Sequence, residues 1–223
     1  MKPYSFALQS LSLAAMLFAT QAAHATLTVY TDEAAYLAAV GNTGIDNFDN
    51  FIAPDGPAQR TAGNYGYSAA TANGALSSKL YAAGGPSDGW LSVENARDKA
   101  VFSNFANNVR GVGGLFFNTD QTGAVASGWS LTLTATEVDG ITKTYTVAAP
   151  QRDSFVGFVS TGALSNITMA ARGQTDFPFY YPTVNNLHIS VAAAVPEADT
   201  YAMLLAGLGL LGWTARRRKQ AAR

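Results

Sequence analysis

The chain has 223 residues, of which 13% are charged, with 14 basic against 15 acidic side chains, two histidines and no cysteine. Six of the basic residues lie at the ends, leaving residues 26–195 with a net charge of about −5, which excludes a nucleic-acid-binding body because nothing there neutralises a phosphate backbone. The lack of cysteine excludes disulfides, thiolate zinc centres and thiol nucleophiles, and the arithmetic favours a protein that is not an enzyme.

Residues 1–25 read as a secretory signal peptide. Lys2 gives a positive start, residues 6–19 are mostly apolar, and Ala23-His24-Ala25 is a small-x-small cleavage pattern with the cut after Ala25. His24 leaves with that leader, so His188 is the one histidine of the mature chain. Strand-like alternation starts at once in Thr26-Leu27-Thr28-Val29-Tyr30.

A helix is expected over residues 31–41. Thr31 caps it, Asp32 and Glu33 suit the positive end of its dipole, and Gly41 ends it. Beyond it the period changes to two. Strands are expected at residues 75–81, 89–94, 99–102, 109–118, 154–159, 166–171 and 185–192, punctuated by Gly, Asn and Pro. Residues 130–136 and 141–147 both alternate, and Asp139-Gly140 between them is a hairpin signal. These spacings predict an all-β body at residues 26–194, an antiparallel β-sandwich with one short N-terminal helix. Its core candidates are Val112, Leu115, Phe116, Phe117, Leu131, Leu133, Phe155, Phe158, Ile167, Leu187 and Ile189.

Residues 195–219 have a different logic. Val195-Pro196-Glu197-Ala198 precedes an uncharged run from Thr200 to Ala215, followed by Arg216-Arg217-Arg218-Lys219. As a helix that run reaches about 24 Å against a hydrocarbon core of about 30 Å, short for a durable anchor. The basic cluster stays cytoplasmic under the positive-inside rule, so the two ends agree on topology.

In this three-part order the tail resembles the PEP-CTERM sorting signal, with Ala198 where that family usually has a second proline. The resemblance implies recognition by exosortase, a membrane-embedded protease, and cleavage near Pro196-Glu197. It further implies transient anchoring in the inner membrane through a short transmembrane helix, then release or transfer to the cell surface. By the same resemblance the setting is an envelope that makes exopolysaccharide or biofilm. The body is similar, more loosely, to the jelly-roll-like sandwiches common among such proteins, on Ile45-Asp46-Asn47-Phe48, Phe155-Val156-Gly157-Phe158 and the closing Val184-Asn185-Asn186-Leu187-His188-Ile189.

Three chemistries come from the residues themselves. Asp46 and Asp49 with their asparagines, and Asp120 beside a Thr-Gly turn, could supply the hard oxygens that calcium wants, or could simply make turns. No other cofactor is expected. Tyr65 and Tyr67, together with Phe179, Tyr180 and Tyr181, are either exposed faces for a glycan or rings that close one end of the sandwich. Gly85-Pro86-Ser87-Asp88-Gly89 fits Gly-x-Ser-x-Gly, but a strand is expected after it where a nucleophile elbow needs a helix. Ser87 is therefore expected in a turn and His188 on a strand face. The leading reading is an exported, non-catalytic surface or matrix protein, with a carbohydrate-binding module as the alternative and a secreted hydrolase third.

Overall fold

The computed structural model describes residues 26–106, 108–171, 179–192 and 207–209. The expected leader at 1–25 lies outside them, as does the tail at 195–219 apart from residues 207–209, which are helical. Among the described residues no helix is long and apolar enough to cross a membrane.

In chain order the body runs β1 (Leu27–Tyr30), α1 (Glu33–Ala39), β2 (Val40–Asp46), β3 (Ala58–Ala62), β4 (Tyr65–Thr71), β5 (Leu80–Gly85), β6 (Asp88–Val93) and β7 (Ala100–Ser103). It continues through β8 (Gly111–Thr119), β9 (Val125–Ala126), β10 (Leu131–Glu137), β11 (Thr142–Val147), β12 (Phe155–Ser160), β13 (Leu164–Ala171) and β14 (Tyr181–Ala192). One sheet has the order β1-β12-β8-β14-β6-β5, with β2 also on β14 and β9 on β8; the other has the order β11-β10-β13-β7-β4-β3. Every pairing is antiparallel. From β7 onward the chain repeatedly crosses from one sheet to the other, the alternation of a jelly-roll-like sandwich.

Alternation explains the layers. On β10, Leu131, Leu133 and Ala135 are buried, while Thr132 and Thr134 turn outward and hydrogen-bond across to Thr146 at 3.2 Å and Thr144 at 3.0 Å. Gly140, at φ 90°, makes the β10–β11 turn that Asp139-Gly140 predicts. Between the sheets lie Leu91, Phe116, Phe158, Val184, Leu187 and Ile189 from one side and Tyr67, Phe102, Leu133, Ile167 and Met169 from the other. Phe117 and Phe155 are buried as expected, but in separate clusters: Phe117 with Ala83 and Trp90, Phe155 with Tyr36 and Val40. Phe116 and Phe117 are consecutive on β8, so they face opposite sides of the sheet. Leu115 is only partly buried, packed on the Tyr36 cluster.

Several expected bounds are corrected. α1 is capped by Asp32, whose carboxylate accepts from the Ala35 amide at 2.7 Å, rather than by Thr31. Gly41 does not end it, because the chain passes directly into β2 at Val40. The strand expected at 75–81 begins at Leu80, where the ladder with β6 starts. β14 opens at Tyr181 and is bulged between Asn185 and His188, with Asn186 at φ 47°.

Candidate functional site

Asp46 ends β2 at the edge of the core and is 5% exposed. Arg60 from β3 donates Nε to Oδ2 and Nη2 to Oδ1, both at 2.6 Å, a bidentate ion pair. Tyr67 from β4 adds its hydroxyl at 2.7 Å, and the Phe48 amide donates at 3.0 Å. The Arg60 guanidinium lies 5.1 Å from the Phe48 ring centre and 4.8 Å from that of Phe51. Burial, reinforced by the Asp46 charge, pushes the Tyr67 hydroxyl well above the usual phenol range. Four donors, two of them from the Arg60 cation, saturate this carboxylate, so its work is to pin β2 onto β3 and β4.

The other calcium candidates hold turns and accept fewer bonds, those of Asp120 all on Oδ1. Asp49 accepts from the Asn47 side chain at 2.7 Å and the Gly89 amide at 3.2 Å. Asp120 accepts from the Thr122 hydroxyl at 2.7 Å, the Thr122 amide at 2.8 Å and the Ala124 amide at 3.1 Å, and these bonds hold its carboxyl below the ordinary range. Asp46 is in register with Leu187 on one edge of β14, and Thr119 with Tyr181 on its other edge. Six strand residues put roughly 20 Å between those levels, so Asp46 and Asp120 do not converge. Among the described residues no group of three or more His, Cys, Asp or Glu could hold a metal ion.

The aromatic candidates divide. Tyr65 and Tyr67 are 8% and 2% exposed, members of the inter-sheet core, so of the two readings of these rings the packed one holds for this pair and a glycan face does not. Their strand alternates with one face inward, and the Tyr65 hydroxyl finds the Asn42 carbonyl at 3.0 Å. Phe179, Tyr180 and Tyr181, by contrast, are half-buried at the opening of β14. Tyr180 pairs with Trp129, ring centres 6.5 Å apart, and Phe179 lies 5.7 Å beneath the Arg97 guanidinium. Phe179 and Tyr181 line a pocket of about 200 Å³ with Leu76, Glu94, Asn95, Ala96 and Arg97. Asp98 braces its wall, accepting from the Leu76 and Ser77 amides at 2.7 and 2.8 Å, and Ser77 donates its hydroxyl to Glu94. Trp129 and Glu94 were not legible as site residues; a lone tryptophan in Ser127-Gly128-Trp129-Ser130 was the available signal for the first.

Pro86-Ser87 forms the turn between β5 and β6, with a strand on each side, as expected of this sequence. His188 stands on β14, 1% exposed and stacked on Tyr36 with ring centres 6.1 Å apart. Its Nε2 is 3.4 Å from Glu33 Oε1, and its Nδ1 has no hydrogen-bond partner. Burial lowers its pKa, with the Glu33 charge pulling the other way.

Comparison with solved structures finds a likeness to the CBM22-1 xylan-binding domain of Xyn10C from Paenibacillus barcinonensis, at 12% identity and TM-score 0.31, over 70% of this chain and 98% of that one. No curated protein matches the chain. The tail is matched directly: residues 194–219 fit the PEP-CTERM protein-sorting motif, the segment that holds Val195, Pro196, Glu197, Arg216, Arg217 and Arg218. The chain thus carries an exosortase sorting signal next to a two-sheet antiparallel β body, and that signal implies export and sorting to the cell envelope.

Proposed function

We propose that this protein is a non-catalytic component of the bacterial surface or extracellular matrix, which exosortase cuts near Pro196-Glu197 after transient anchoring in the inner membrane. One observation carries the reading: the sorting motif begins at residue 194, two residues past the last residue of β14. Every strand among the described residues lies before the signal starts, so cleavage near Pro196 removes none of them and leaves both sheets intact. The test is to follow the protein in cells with and without their exosortase. Loss of the enzyme, or the double substitution Pro196→Ala and Glu197→Ala, is expected to leave the protein in the membrane fraction. Unchanged release in both cases contradicts the proposal.

A second reading, carbohydrate binding, is favoured by the pocket at the opening of β14. Phe179 and Tyr181 supply ring surface, while Glu94, Asn95 and Arg97 supply acceptors and donors, the mixture a sugar requires. At about 200 Å³ the pocket suits a single sugar unit of a longer chain rather than an enclosed ligand. Titration with the polysaccharide of the producing cell tests this, and absence of binding removes it.

A further inference from the structure

Residue 26 and residue 192 leave the body at the same end. Ser160 pairs with Leu27, Val159 with Gly111, and Gly111 with Ser190, so the start of β1 and the end of β14 stand three strands apart, about 14 Å. Backbone bonds tie this end together: Thr161 N to Thr26 O at 3.3 Å, Ser160 N to Arg110 O at 2.8 Å, and Arg110 N to Ser190 O at 3.0 Å. The β10–β11 turn joins the same end through Val138 N to Ala163 O at 3.0 Å and Leu164 N to Val109 O at 2.9 Å. That turn, Val138-Asp139-Gly140-Ile141, presents Val138 at 73% exposure and Ile141 at 38%. The pocket at Phe179 and Tyr181 opens at the opposite end, where β14 begins.

We infer that this end, with Val138 and Ile141 at its tip, rests on the phospholipid surface while the tail is still attached. The inference rests on the reading of the tail as a transient anchor. The uncharged run opens at Thr200, eight residues past Ala192. Eight extended residues span at most about 28 Å, so the end that bears β14's terminus cannot move far from the bilayer. An apolar turn with a single acid, Asp139, enters the headgroup boundary at little cost, as interfacial apolar side chains do. The opposite end, with the aromatic pocket, then faces away from the membrane. Cleavage near Pro196 then frees the docked end.

The chain has no cysteine, so single labels are unambiguous. Val138→Cys, Thr122→Cys in the β8–β9 turn at the far end, and Leu208→Cys in the tail each receive an environment-sensitive fluorophore. The uncut, tail-bearing protein is mixed with vesicles of phosphatidylethanolamine and phosphatidylglycerol that contain headgroup-labelled quencher lipid. The inference expects loss of fluorescence at positions 208 and 138 but not at 122, and recovery at 138 when the tail is cut off. Quenching at 208 with none at 138 beyond that at 122 overturns the docking and leaves the anchor standing. No quenching at 208 overturns the anchor, and the docking with it. Protection of the 138 label without lipid marks self-association and also overturns it.

Discussion

The ring of Tyr36 lies so close over Gly157 that a Cβ at residue 157 would come within 2.3 Å of Tyr36 Cδ2. This contact seats α1 on the outer face of the eight-stranded sheet, and the Tyr36 hydroxyl completes it at 3.0 Å from Ser190 Oγ. Gly157→Ala is therefore expected to destabilise the body by about 1–3 kcal/mol, the usual cost of overpacking. Urea unfolding measures it, and a midpoint equal to that of the parent contradicts the packing described.

Asp46 and Arg60 form the polar pin of the other corner. Removing Arg60 strands a buried carboxylate, and Arg60→Ala is expected to cost about 3 kcal/mol, at the low end for a buried pair because Arg60 keeps part of its exposure. Tyr67→Phe removes one of the remaining donors and is expected to cost about 1–2 kcal/mol. Added calcium is expected to leave the melting temperature of the parent unchanged, since Asp46 is already saturated; a calcium-dependent rise contradicts that assignment.

His188 gives the fold a pH dependence of known sign. Its folded pKa lies below the ordinary value of 6.5, so the unfolded chain binds the proton more readily. The stability it contributes is present above pH 6.5 and is lost as pH falls below that value toward its folded pKa. The urea midpoint is expected to drop between pH 7.5 and 5.5, and His188→Gln to flatten that slope. An equal slope in the variant contradicts the role given to His188.

Phe179→Ala is expected to weaken polysaccharide binding by about tenfold, as loss of one aromatic contact of about 1.4 kcal/mol does. Tyr67→Phe, in the core, is expected to leave that affinity unchanged. Isothermal titration of both variants separates the pocket from the interior; equal losses in the two would contradict the site.

The alternating stretches and the Asp139-Gly140 turn could be read from the chain because a half-buried strand writes its period into the sequence. β2 and β3 could not. Val40-Gly41-Asn42-Thr43-Gly44 and Ala58-Gln59-Arg60-Thr61-Ala62 have weak apolar content; β2 takes its place from β14, distant in sequence, and β3 from its pairing with the neighbouring β4. Tyr65 and Tyr67, in a Gly/Ala-rich stretch, could be read either as exposed or as packed rings; small neighbours are what lets large rings fill an inter-sheet layer. The acidic candidates were legible as a cluster but not as an ion pair, since Arg60 reaches Asp46 only through the fold. The tail is the reverse case: its motif, span and charge order are local, so nothing beyond the sequence was needed to read it.

Intact mass of the protein recovered from the cell surface tests the central claim most directly. A chain that begins at Thr26 and ends between Val195 and Glu197 is the predicted result. A surface protein that still carries Arg216 to Lys219 contradicts it.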